Sequence, residues 1–156
     1  ILAEIITPPE YSGDHGRAPK RADGKPYHIL LADDSSIARK QATDTLKRLG
    51  VDFTEVVNGR EALATLEGWA SSGELKRNPL AMVISDIEMP ELDGYTLTRK
   101  IREDPDLNAL YILLHTSLSG SFSEQMGLKV GANQLIPKWH PEELADAVLG
   151  RIAELA

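Results

Sequence analysis

The chain contains no cysteine. Disulfides and thiolate chemistry are therefore excluded, and the composition is compatible with a reducing cytoplasm. No apolar run approaches the roughly 20 residues that a membrane-spanning helix needs, so no membrane insertion is expected. Positive charge is scarce as well: 17 Lys and Arg stand against 24 Asp and Glu, for a formal net charge of −7 and a pI of about 5.1. That balance argues against nucleic-acid binding, which requires a clustered basic face. The chain starts at Ile1 rather than methionine and lacks a basic-then-apolar signal pattern, and we read it as a piece of a longer protein. What is present is a 42% apolar fraction over 156 residues, enough for one domain with a real core and some tail.

The tail comes first. Ile1–Ile6 is an apolar island too short to stand alone, and residues 7–26 are rich in Pro, Gly and charge, a linker composition. The alternative is an arm packed back on the domain through Ile1, Leu2, Ile5 and Ile6. Folded character starts at Tyr27. His28 to Ala32 reads as a short strand, followed by Asp33-Asp34, a Ser35 cap and a helix that Gly50 stops. Val51 to Val57 reads as a second strand. Asn58 with Glu61 resembles a capping box for a helix carrying Leu63, Leu66 and Trp69, and a polar connection runs from Ser71 to Asn78.

Leu80 to Ser85 follows, a run without polar alternation, as expected of a strand covered on both faces. It runs straight into Asp86, then Glu88, Met89-Pro90 and Asp93-Gly94. On that stretch alone Asp86 is either a turn residue or a reactive group at a strand's carboxyl end. A short helix on Leu97 and Ile101 comes next, then a strand from Leu110 to His115 closing in Thr116-Ser117. Ser121 with Glu124 forms a second capping-box pattern, for a helix to about Val130. A strand from Asn133 to Ile136 leads to Pro137-Lys138-Trp139, and Pro141 opens the last helix on Leu144, Val148, Ile152 and Leu155. Five strands alternating with five helices predict an α/β fold with a doubly wound parallel sheet.

In such a sheet the strand ends lie side by side. Asp33, Asp34 and Asp86 would then converge with the Thr116-Ser117 hydroxyls and Lys138. Converging carboxylates repel one another unless a hard cation is present, and oxygen-only donors suit Mg2+ better than zinc. No pair among the four histidines has metal-ligand spacing on one helix. His115 is expected to be packed and hydrogen-bonded, and Trp69 to belong to the core. An acid beside a divalent ion, with a lysine and a hydroxyl near, can accept a phosphoryl group.

From Tyr27 to Ala156 the chain resembles a response-regulator receiver domain, the phosphoacceptor module of two-component signalling. The Asp33-Asp34 pair, the D-x-x-M-P-x-x-D-G run from Asp86 to Gly94, Thr116-Ser117 and Lys138 carry the resemblance. It implies a five-stranded sheet in order 2-1-3-4-5, with Asp86 as the phosphoacceptor. Asp33, Asp34, Asp86 and the backbone carbonyl of Glu88 would hold Mg2+. Lys138 would meet the phosphoryl group, Thr116 would be the switch hydroxyl, and Ser117 would leave the phosphoryl group room. VISDIEMPELDGYTLTRKIR, LHTSLSG and KVGAN further resemble the receiver of CheV-type chemotaxis coupling proteins. That likeness implies a CheW-like coupling domain upstream, ending in Ile1–Ile6, and a partnership with a CheA-type histidine kinase in cytoplasmic chemoreceptor arrays.

Two departures stand out. Trp139 follows Lys138 where most receivers have Pro, which puts the loop geometry in question, and Leu135 occupies the position of the usual switch aromatic. Trp139, beside Lys138, is expected to report occupancy of the site by its fluorescence. The competing readings are a phosphatase of the haloacid-dehalogenase type, which Asp86-Ile87-Glu88 only loosely imitates, and a phosphorylation-independent docking module.

Overall fold

The computed structural model describes residues 16–117 and 121–156. The apolar runs become β1 (His28–Ala32), β2 (Asp52–Val56), β3 (Leu80–Ser85), β4 (Ile112–Thr116) and β5 (Gln134–Pro137). They form one parallel sheet in the order β2-β1-β3-β4-β5. Every residue of β3 and β4 is buried, whereas the edge strand β2 exposes Asp52 and Glu55. The helices among the described residues are α1 (Ser36–Leu49), α2 (Gly59–Ser72), α3 (Glu74–Arg77), α4 (Gly94–Glu103), α5 (Ser121–Val130) and α6 (Pro141–Leu155).

Alternation along each strand splits the core into two layers. Ile29, Leu31, Ile84 and Leu113 pack with Leu46 of α1 and Val148 of α6, while Leu30, Val83 and Leu114 pack with Leu66 of α2 and Leu97 of α4. Trp69 joins the edge of the second layer, its ring edge-on to His28 at 5.7 Å.

Local chemistry sets the helix ends. Ser35 Oγ accepts from the Ala38 amide at 3.2 Å, and Gly50 closes α1 in the left-handed region at φ 79°. Asn58 Oδ1 accepts from the Glu61 amide at 2.8 Å, and the return bond, 3.2 Å to Glu61 Oε1, comes from the Val57 amide. The capping box expected of Ser121 rests on a side chain outside those described. The apolar periodicity predicts five helices, and the structure adds a sixth, α3. Gly73, at φ 85°, ends α2, and the next turn is held by a Glu74–Arg77 ion pair at 3.0 Å. None of its residues is buried, so it leaves no hydrophobic signature in the sequence.

The described part of the expected linker lies on the domain. The Ala18 amide donates to the Leu49 carbonyl at 2.7 Å, at the carbonyl-rich end of α1. Arg21 donates to Asn78 Oδ1 at 2.6 Å and to the Arg77 carbonyl at 3.4 Å, and Ala18 and Tyr27 pack against the first core layer. A composition argument cannot see these bonds, because the acceptors are helix ends distant in sequence. Ile1, Leu2, Ile5 and Ile6 lie outside the described residues.

Candidate functional site

The backbones of Asp33, Asp86 and Lys138 are each tied to a neighbouring strand one step beyond the regular ladder. The Asp33 amide donates to the Val56 carbonyl at 3.2 Å, Asp86 to Ala32 at 2.8 Å, and Lys138 to Thr116 at 2.7 Å. Because the strands are parallel, all three residues emerge at one edge of the sheet. Asp86 is held further by its own loop: its Oδ1 accepts from the Ile87 amide at 2.8 Å, and its carbonyl accepts from Ser85 Oγ at 2.8 Å. Asp93 caps α4, accepting from the Thr96 amide at 2.9 Å. Gly94 then lets α4 start directly against this loop. A Cβ there would lie 2.2 Å from the Asp86 carbonyl oxygen, and its amide donates to the Ile87 carbonyl at 2.8 Å.

The charges are close and nearly dry. Lys138 Nζ lies 3.0 Å from Asp33 Oδ2 and 3.2 Å from Asp86 Oδ1, with side-chain exposures of 6%, 1% and 6% for Lys138, Asp33 and Asp86. Carboxylate oxygens of Asp33, Asp34 and Asp86 all lie within 4.8 Å of one another. One ammonium cannot balance three carboxylates. Burial, and then the Asp33 charge, push Asp86 up to about 6 against the opposing pull of Lys138.

Asp33 Oδ1 accepts from the Ser35 amide at 2.9 Å, but Asp33 Oδ2, although within ion-pair reach of Lys138, has no hydrogen bond among the described residues. A buried oxygen without a hydrogen-bond donor, in an all-oxygen donor set carrying excess negative charge, fits a hard divalent cation.

The other predicted residues divide. Thr116 is buried at the end of β4, while Ser117 and the side chain of Glu88 are exposed. Glu88 stands outside the group of three acids, beside an open depression of about 490 Å³ that it lines with Ile87, Met89, Asp93 and Tyr95. Leu135 is half-buried against the second core layer. His115 is packed as expected, but its Nδ1 lacks a hydrogen-bond partner among the described residues, and burial followed by the Lys138 charge pulls it down to about 4. No cis peptide occurs among the described residues, and Trp139 adopts φ 71°.

Sequence reasoning missed Arg39. Its Nη1 donates to the Asp33 carbonyl at 2.8 Å and its Nε to Glu55 Oε1 at 3.2 Å, steadying the acid pair against β2. The available signal was a cation near the positive end of α1, a placement the helix dipole disfavours unless the side chain has other work.

Comparison with known proteins places this geometry. The family model for the response regulator receiver domain matches residues 29–149. Chemotaxis protein CheV3 of Helicobacter pylori is 31% identical over 121 residues, which are 77% of this chain and 39% of that protein. The chain thus spans about two fifths of that relative's length. The solved receiver domain of a signal transduction histidine kinase from Syntrophus aciditrophicus superposes with a TM-score of 0.67 at 30% identity, covering 83% of this chain and 92% of that one. The receiver domain of the histidine kinase CKI1 from Arabidopsis thaliana, solved in complex with Mg2+ and BeF3−, does so at 0.68 and 26% identity, over 82% and 90% of the two chains. A match over most of the folded chain, joined to the same sheet order and an acid edge of this kind, makes the protein a member of the response regulator receiver family.

Proposed function

We propose that the chain is a phosphorylation-controlled module of chemotaxis signalling, in which Asp86 accepts a phosphoryl group from the phosphohistidine of a CheA-type kinase. The observation that carries this is the placement of Asp86: buried, 3.2 Å from Lys138, and within 4.8 Å of two further carboxylates. Asp33, Asp34, Asp86 and the Glu88 carbonyl would hold Mg2+, which when bound offsets charge on the phosphoryl oxygens. The O–P bond to Asp86 forms as the donor's N–P bond breaks, and the electron pair leaves with the imidazole nitrogen. Lys138 neutralises the charge spread over the transferring group, with Thr116 and Ser117 bordering it. In dephosphorylation a water oxygen forms the new O–P bond and the Asp86 carboxylate leaves.

Such a module catalyses at most its own phosphotransfer and dephosphorylation. Its partner kinase would sit at cytoplasmic chemoreceptor arrays, reached through a coupling domain upstream of residues 7–26, in keeping with the likeness to CheV3. Among the described residues no helix is long and apolar enough to cross a membrane.

The test is a phosphotransfer assay, with acetyl phosphate and a phosphohistidine donor, on wild type and Asp86→Asn with and without Mg2+. Labelling should require both Asp86 and the metal; labelling of Asp86→Asn at the wild-type level would sink the proposal. Turnover of a small phosphoester beyond one equivalent would favour a phosphatase instead. The exposure of Glu88, outside the acid group, speaks against that reading.

A further inference from the structure

Two described non-glycine residues take the left-handed backbone, Glu91 at φ 67° in the loop after β3 and Trp139 at φ 71°, and Trp139 is the one that adjoins Lys138. For a non-glycine residue that conformation is unfavourable and persists only when the surroundings impose it. The surroundings here are identifiable. On one side Lys138 is pinned twice, its amide to the Thr116 carbonyl at 2.7 Å and its Nζ to Asp33 and Asp86 at 3.0 and 3.2 Å. On the other, the His140 carbonyl already accepts the first helical bonds of α6, from Glu143 at 3.0 Å and Leu144 at 3.2 Å. Residue 139 alone must turn the chain from β5 into α6.

The indole is half-exposed and stands at the mouth of a crevice of about 10 Å³, lined also by Gln41 and Thr45 of α1, by His115 and by Leu144. His115, whose Nδ1 is buried and without a hydrogen-bond partner among the described residues, lines the same crevice. The crevice therefore joins the strained residue to α1, whose first turn follows the acid pair.

We infer that Trp139 is a conformational switch worked by Lys138. Ion pairing of Lys138 with Asp33 and Asp86 holds residue 139 in the left-handed region. Transfer of Nζ to a phosphoryl group on Asp86 relaxes that backbone and shifts the indole over α1. The inference rests on the phosphoacceptor reading. It assigns output to the α1–α6 side of the sheet, the side opposite Leu135.

Thermodynamic linkage makes it measurable. If strain is confined to the unphosphorylated state, removing it favours that state and weakens binding of a phosphoryl analogue. Trp139→Gly removes both strain and indole, whereas Trp139→Ala removes the indole and keeps the strain. Binding of beryllofluoride with Mg2+, measured by calorimetry, should be weaker for Trp139→Gly than for Trp139→Ala by about five- to thirty-fold, the range that the cost of left-handed backbone implies. Equal affinities would overturn the switch.

In a Trp69→Phe background Trp139 is the sole tryptophan, since the chain has 2. Its emission should shift on adding beryllofluoride and Mg2+, and an unchanged spectrum at saturation would also overturn the switch. Absence of any binding to wild type would instead remove the phosphoacceptor reading and the switch with it. Binding that is lost in Asp86→Asn but leaves Trp139 silent removes the switch alone.

Discussion

Asp86, just past the end of β3, and His115, in the neighbouring β4, are displaced in opposite senses, which makes the acid limb of stability a residue-level question. Asp86 is raised from 3.8 to about 6, so the native state keeps a proton that the unfolded chain has lost, and stability from this group falls as pH rises through about 6. His115 is lowered from 6.5 to about 4, so it stays neutral where the unfolded imidazole is protonated, and stability from this group falls as pH drops from 6.5 through about 4. Between these limits the two slopes oppose each other. Asp86→Asn should therefore raise stability at pH 7 by about 1–3 kcal/mol in chelator, and should unmask a steeper loss on acidification. Urea unfolding from pH 4 to 7 measures both. Parallel pH profiles for wild type and variant would contradict the assignment. The residues themselves were legible as chemistry-bearing types at strand ends; their protonation was not, because it depends on burial and on a charge contributed from another strand.

At the scale of elements, the site is aimed by junctions. The turn from Asp93 into α4 is closed against the Asp86 peptide, where a Cβ on Gly94 would meet the Asp86 carbonyl oxygen at 2.2 Å. Backbone cannot yield as a side-chain tip can. Gly94→Ala should accordingly cost about 2–4 kcal/mol and, on the proposed function, slow phosphorylation of Asp86, because the Asp86 peptide is what moves. A urea midpoint within experimental error of wild type would show that the loop yields without cost. The D-G pair was visible in the sequence as a helix start, and its steric role was not: the contact is between a helix N-terminus and a strand end eight residues earlier. The same holds for α3, which has a glycine and an ion pair to form it but no apolar face to announce it.

At the scale of the whole molecule, residues 16–26 join the domain at the pole opposite the acid edge, bridging the ends of α1 and α3. Arg21 is the clasp, its side chain only 13% exposed. Arg21→Ala should lower stability by about 1–2 kcal/mol and quicken tryptic cleavage after Lys20, leaving phosphotransfer to Asp86 unchanged. Cleavage at the wild-type rate would mean that the segment adds nothing to the fold.

The boundary between sequence and tertiary structure is visible in this protein. The sequence by itself determined the alternation of elements, hence a parallel sheet, and put acids, a hydroxyl and a lysine at the ends of its strands, because apolar periodicity and helix caps are local properties. Only the tertiary structure decided how those groups meet: Lys138 between Asp33 and Asp86, Asp33 Oδ2 without a hydrogen bond, Arg39 reaching back to the acid pair, and Trp139 held at a positive φ. Each of these depends on distance and burial between residues far apart in the chain, and neither quantity exists until the sheet has closed.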